Sequence, residues 1–405
     1  MSLSTPRFLL PLFTAALVAA LGTPVAAAPV RPHTSAGDAE AERAFVDALL
    51  ARMTLAEKLG QLNQPPGVGN NTGPAAMAGS EEQVRQGQIG SWLGTQGAEL
   101  TCRLQKIAVE ESRLGIPLLF AYDVIHGMRT VFPVPLGEAS SFDPEEVRNA
   151  ARVAAVEATA HGVHWTYAPM VDIARDPRWG RIVEGSGEDP YLGSVLAAAR
   201  VRGFQGDDLA APDTLLATAK HFVAYGAAEG GRDYDVADIS ERTLHEVYLP
   251  PFKAAVDAGA QSVMASFNEI GGIPMHAHRG LIQDLLRGQW GWDGLLVSDY
   301  TGVMELMPHG IAADREDHAQ RLTMEQANLL NLALDHRDPR QEPQALCAGT
   351  PDEAFVNVVL RIVHPAQPQV EVAKPPQCKR VQVNHRKGVG ADLRLQHEGA
   401  PELAI

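Results

Sequence analysis

Leu295-Leu296-Val297-Ser298-Asp299-Tyr300-Thr301-Gly302 is a short apolar run that ends in Ser-Asp. Bounded by glycine and polar residues, it reads as a buried strand, with Asp299 where the chain leaves the sheet. A carboxylate at the C-terminal end of a strand in a parallel α/β barrel stands where such folds do their chemistry. Whether Asp299 holds that position depends on what the preceding residues build.

From residue 87 onward, strand-like and helix-like stretches alternate. Apolar runs predict strands over 89–93, 116–121, 163–171, 215–222, 262–267 and 295–298. Helices are expected between them, over 100–113, 143–160, 189–203, 243–258 and 281–287. Asp143-Pro144-Glu145-Glu146 combines a capping Asp, a Pro at the first helical position and acids in the first turn, and Gly162 supplies the stop. Asp189-Pro190 repeats the device, while Pro250-Pro251 is expected to interrupt its helix. Upstream, Phe45, Leu49, Leu50, Met53, Leu59 and Leu62 recur at helical spacing over 39–62. Residues 65–79 read as loop, since Gly67-x-Gly69 has neither the preceding strand nor the following lysine of a phosphate loop.

Alternating strands and helices over this length imply parallel βα units. Polar residues at each strand's C-terminal end favour a TIM-like (β/α) barrel, and the missing nucleotide fingerprint argues against a doubly wound sheet. Eight strands close such a barrel; the six found here leave it incomplete.

The bulk properties narrow the function. The chain of 405 residues is 45% apolar and 20% charged, enough for a substantial core. Its net charge of −15 argues against nucleic acid and anionic membrane surfaces as partners and suits a neutral substrate such as a sugar. Arg7, the apolar run over 8–20 and Val25-Ala26-Ala27 form a signal peptide over 1–27, implying a periplasmic or secreted protein. Cys102, Cys347 and Cys378 show neither a disulfide framework nor metal spacing, and Cys102 is expected to be an isolated buried thiol. His161, His164, His245, His276 and His278 lack ligand spacing and read as structural, so no metal or other cofactor is expected. Trp92, Trp165 and Trp179 read as core residues.

Set side by side, the strand ends offer Asp123, the loop Arg175-Asp176-Pro177-Arg178-Trp179-Gly180-Arg181, Lys220, His221 and Asp299. Carboxylates accept from vicinal hydroxyls while Arg, Lys and His donate to ring oxygens, so the set suits a sugar. Each member also has a blander reading: Asp123 as a loop carboxylate and Arg181 as a surface ion pair. Lys220, at the end of an apolar strand, is harder to explain without a partner.

Ala121-Tyr-Asp-Val-Ile-His-Gly127, the 175–181 loop, Gly187-Glu-Asp-Pro190, Lys220-His-Phe222 and Val297-Ser-Asp299 stand in the order seen in glycoside hydrolase family 3. The chain resembles the periplasmic β-glucosidase branch of that family over residues 39–317. The resemblance implies that Asp299 is the nucleophile of a retaining enzyme releasing terminal β-D-glucosyl residues. It also implies that Asp123, Arg181, Lys220 and His221 hold the sugar. The N-acetylglucosaminidase branch carries an Asp-x-His pair after its Lys-His-Phe; here the corresponding stretch is Gly230-Gly-Arg-Asp-Tyr-Asp235, without that pair. Phe267 stands where many relatives have a tyrosine near the nucleophile.

The resemblance implies three segments: the leader, a barrel domain over 28–317, and an unassigned tail over 318–405. The tail is rich in Gln, Pro, His, Lys and Arg and resembles no part of the family, as a shifted reading frame would produce. Relatives bring the general-acid glutamate from a second domain that finds no counterpart here. The alternative to a β-glucosidase is therefore a catalytically impaired fragment that at most binds sugar. A metal-dependent barrel hydrolase is a more distant alternative, since the metal spacings are missing.

Overall fold

The computed structural model describes residues 36–67 and 79–311. The signal peptide and the tail over 318–405 lie outside them.

Six parallel strands form one sheet in the order β1-β2-β3-β4-β5-β8, with every in-sheet neighbour parallel. They are β1 (Ser91–Leu93), β2 (Leu119–Tyr122), β3 (Trp165–Thr166), β4 (Leu216–Phe222), β5 (Ser262–Ala265) and β8 (Leu295–Val297). A two-stranded hairpin, β6 (Glu269–Ile270) with β7 (Ile273–Pro274), projects beyond β5. Each strand of this sheet pairs with the sheet strand that follows it in the chain, the winding of a β/α barrel; with six of eight strands among the described residues it is an open, curled part-barrel. On the outer edge of β1, Pro66 adds a parallel bridge to Leu93, so part of the expected 65–79 loop extends the sheet.

Side-chain alternation explains the curl. Leu119, Ala121, Trp165, Leu216, Met264, Leu295 and Val297 face inward and pack on Val46 and Leu49 of the N-terminal helix Ala36–Arg52 and on Met53 and Leu62, which flank the next helix, Leu55–Gln61. The intervening residues face the outer helices: Phe120 in one cluster, and Ala217, Ala219, Val263 and Leu296 in the largest. Two pairs of polar groups in the interior join across segments: Trp165 Nε1 donates to Thr218 Oγ1 at 2.7 Å and the Tyr167 hydroxyl is bonded to Gln64.

The helix starts behave as their sequences predict. Asp143 accepts from the Glu145 and Glu146 amides at the head of Pro144–Ala160, and Asp189 from Leu192 at the head of Pro190–Gln205. These two helices pack closely because Gly203 has no side chain: a Cβ there would lie 2.4 Å from the Arg148 carbonyl oxygen.

Several expectations need correction. The 163–171 strand is regular only over Trp165–Thr166, because Pro169 cannot donate to a ladder; pairing resumes as a bridge between Met170 and Lys220. Pro250-Pro251 does not break its helix. The chain winds as Glu241–Thr243, a wider turn over Leu244–Tyr248, and Leu249–Asp257. The prolines then fall in the first turn of the last segment, where a missing N–H is tolerated. Cys102 is half-buried and disulfide-bonded rather than an isolated buried thiol.

Candidate active site

Alternation positions the site. Inward-facing Leu119 and Ala121 put Asp123 on the inner side, two residues further on; Leu295 and Val297 do the same for Asp299. On β4, Leu216 faces inward and Lys220 follows in the same parity. His221 should then face outward, but the β4–β5 register shifts between Ala219 and Phe222, and both side chains reach the inner face.

Lys220 Nζ donates to Asp123 Oδ1 at 2.8 Å, with the lysine buried and the aspartate partly open. His221 is buried over Asp172, whose Oδ2 lies 2.9 Å from both the His221 backbone N and Nδ1. With Asp172 ionised, Nδ1 is the donor, and Nε2 is directed to Asp299 Oδ2 at 3.7 Å. Arg181 binds Glu184 through two hydrogen bonds of 2.7 and 2.8 Å and lies 5.5 Å above the Tyr225 ring. The structure thus pairs Asp123 with Lys220 and sets His221 beside Asp299, while Arg181 touches Glu184 and, like Lys220, acts on Asp299 through its charge.

Asp299 Oδ1 accepts the Tyr300 amide at 2.7 Å. Its Oδ2 is buried and accepts no hydrogen bond from the described residues. Burial pushes the carboxyl up to about 7, against the Tyr300 N–H and the Lys220 and Arg181 charges. Burial raises Asp172 to about 7 as well, opposed by the His221 amide. Burial, reinforced by Arg181 and Lys220, holds His221 far below its ordinary value, so it is neutral at pH 7. Burial opposes the Arg181 charge, but Glu184 more than offsets it and keeps the guanidinium ionised.

An aromatic wall rises beside Asp299. Phe267 lies 4.5 Å from Tyr234 and 6.3 Å from Tyr225, measured between ring centroids. The Arg-rich loop is strapped to this wall by Trp179, fully buried, whose Nε1 donates to Asp233 at 2.8 Å. Among the described residues, no cluster of three or more His, Cys, Asp or Glu could hold a metal.

Three residues of this arrangement escaped the sequence reading, Asp172, Glu184 and Tyr225, and His276, read there as structural, accepts the Asp299 N–H at 3.2 Å. Asp172 had a usable signal, since it follows the inward 163–171 run as Asp123 and Asp299 follow theirs. Glu184 stands three residues after Arg181, a spacing common on any surface. His276 lies on a hairpin whose approach to β8 no local pattern announces.

Residues 54–323 match the family model for the glycosyl hydrolase family 3 N terminal domain. The chain is 45% identical over 278 residues to a periplasmic beta-glucosidase of Salmonella typhimurium, covering 69% of this chain and 36% of that one. It is 39% identical over 236 residues to a beta-xylosidase of Formosa agariphila, covering 55% and 32% respectively. Its fold is similar to that of a beta-glucosidase from Listeria innocua solved with isofagomine, with TM-score 0.68, 39% identity, and coverage of 79% of this chain and 45% of that one. The chain thus spans about a third to a half of the length of these relatives. The match over 270 of 405 residues, on an open part-barrel with two acids, a lysine and a histidine at its strand ends, makes this chain a member of glycosyl hydrolase family 3.

Proposed function

We propose that this chain carries the nucleophile and glycone-binding half of a retaining β-glucosidase. The observation that carries the reading is Asp299 Oδ2: buried, unengaged, and 3.7 Å from a neutral histidine at the C-terminal end of an inner strand. In this reading a sugar enters with its anomeric carbon over Asp299. Asp123, held by Lys220, accepts from ring hydroxyls, and Lys220 and Arg181 supply donors and positive charge. The bare Nε2 of His221 accepts from a hydroxyl, because its Nδ1 proton is engaged by Asp172. Asp299 attacks C1, the C–O bond to the leaving group breaks, and water later releases the glycosyl-enzyme with overall retention.

The names of the relatives support a β-linked terminal sugar as substrate class, with glucose favoured by the more similar of the two curated relatives named and xylose as the competitor. The leader-like pattern over 1–27 and the periplasmic relative support export to the periplasm or beyond, with a barrel domain over 28–317 and the remainder unassigned.

The test is incubation with a 2-deoxy-2-fluoro-β-glucosyl dinitrophenolate, followed by peptide mass spectrometry. One fluoroglucosyl adduct on Asp299 is expected. Labelling elsewhere, or no labelling while glucose still binds, overturns the nucleophile assignment.

A second reading, sugar binding with little turnover, draws on the state of the other acids. Around the site Asp123 pairs with Lys220, Asp172 with His221, Glu184 with Arg181 and Asp233 with Trp179. None of these four is placed as a free proton donor for a leaving group.

A further inference from the structure

The inner strands bring Asp299 to the site, but they do not orient its carboxylate. β8 ends at Val297, and Asp299 is followed by a turn in which Thr301 adopts φ +59°, an unusual conformation for a β-branched residue. Something must hold this turn, and the β6–β7 hairpin supplies a contact. His276 follows β7 and is 1% exposed. Its Nε2 lies 3.2 Å from the Asp299 backbone N and accepts that N–H. Nε2 is therefore bare, and the ring proton sits on Nδ1. Burial brings the imidazole down to about 3, so it stays a neutral acceptor across the working range of pH.

The other side of the imidazole rests on Gly302. A Cβ at position 302 would fall 2.2 Å from Cε1, 2.4 Å from Nε2 and 2.8 Å from Nδ1 of His276, closer than any real contact. The ring thus occupies the volume a side chain at 302 would need, and it is clamped between the Asp299 amide and the Gly302 backbone. The Gly302 amide in turn donates to the Asp299 carbonyl oxygen at 3.1 Å and closes the turn.

We infer that His276 is a positioning residue for Asp299, acting through the backbone amide at the end of β8 with Gly302 as its seat. This rests on the reading of Asp299 as nucleophile and extends it. The main chain of the turn is pinned at Asp299 N and at Gly302. Asp299 Oδ1 is pinned to the next amide. Of the two Asp299 carboxylate oxygens, Oδ2 is left without a hydrogen bond from the described residues. Losing the imidazole frees the turn to shift, and a shift of about 1 Å in a reacting group typically costs on the order of 10²-fold in rate.

The experiment compares the rate of fluoroglucosyl labelling at saturating reagent with glucose affinity, in the full chain, for wild type, His276→Ala, His276→Gln, Gly302→Ala and the double variant His276→Ala/Gly302→Ala. His276→Ala is expected to label at least about tenfold more slowly, with glucose affinity within about twofold of wild type. His276→Gln, whose side-chain carbonyl can accept the same N–H, is expected to recover most of the rate. Gly302→Ala is expected to reproduce the slow labelling by displacing the ring. The double variant is expected to be no slower than His276→Ala alone, because the new methyl enters space already vacated.

His276→Ala labelling at the wild-type rate overturns the inference. So does a parallel fall of glucose affinity and labelling, which would make the residue part of general scaffolding. Multiplying losses in the double variant would show that the two positions act separately and also overturn it. A wild-type chain that binds glucose but does not label at Asp299 overturns the nucleophile reading first, and this inference with it.

Discussion

The ionisation of Asp299 is set by a balance between burial and charge. Burial raises its carboxyl to about 7, while Lys220 and Arg181 favour the ionised form. Attack requires the carboxylate, so labelling of the empty enzyme is expected to be full above pH 8 and to fall as pH drops through about 7. The pH profile of the second-order labelling rate checks this; a rate flat down to pH 5 would contradict it. Lys220→Met removes one of the two cations, so Asp299 should hold its proton to higher pH and the acid limb should move upward. A limb that moves down, or stays in place, would show that the lysine does not act through charge. Asp172→Asn tests the other buried acid. It leaves the His221 ring with a neutral partner, and sugar binding is expected to weaken by about tenfold, the scale of a hydrogen bond lost at a charged group. Calorimetric titration with glucose reads it directly.

Elements set these residues in place through close backbone approach. The loop from Glu229 to Val236 lies against the Arg-rich loop, and Gly231 is its closest contact. A Cβ there would fall 2.8 Å from Trp179 N and 2.9 Å from Arg178 Cβ, at φ +70°. Gly231→Ala is therefore expected to push the 175–181 loop off its seat, carry Arg181 away from the pocket, and weaken glucose binding by about tenfold or more. Gly271→Ala is the matched control: it has a similar positive φ on the hairpin, but nothing lies within 4 Å of its Cβ position. Equal losses in both variants would show that backbone strain, and not the loop contact, is responsible. The N-terminal helices make a different kind of demand. Thr54 and Glu57 form a reciprocal cap, and Glu57 also takes Arg113 Nε at 2.9 Å. The Arg113 bond, opposed by burial and helped by Thr54, lowers Glu57 to about 2. A depressed carboxyl stabilises the fold above its unfolded value and loses that contribution as pH falls toward 2. Glu57→Gln is expected to lower the melting temperature at pH 7 and to leave less of a difference from wild type at pH 2.5.

At the scale of the whole molecule, six strands in sequential order among the described residues hold one wall of the candidate site. Asp123 follows β2, Lys220 and His221 lie in β4, and Asp299 follows β8. General acid assistance typically contributes ~10²–10⁴-fold, or about 3–5 kcal/mol of barrier. With the four acids around the pocket engaged, activated and natural substrates should diverge. A dinitrophenyl glucoside, whose leaving group needs little protonation, is expected to give a burst of phenolate equal to the enzyme present. Cellobiose is expected to turn over negligibly in the same assay. Comparable rates on the two would show that a proton donor serves the site.

Much of this was legible in residue order. The apolar runs and the caps at Asp143 and Asp189 announced strands and helices, because burial and capping leave their mark in residues close together in the chain. The carboxylates at strand ends were visible for the same reason: each follows closely on its apolar run. Strand lengths were not, since Pro169 and the β4 bulge act through pairing with neighbours rather than through composition. Nor was the disulfide state of Cys102, the bond between Asp172 and His221, or the clamp of His276 between Asp299 and Gly302. The sequence by itself determined that Asp123, Lys220, His221 and Asp299 stand at the ends of parallel strands. Only the tertiary structure decided which of them are paired, which oxygen of Asp299 is free, and what holds it there. Those outcomes depend on distances between segments far apart in the chain, and burial and charge act through such distances.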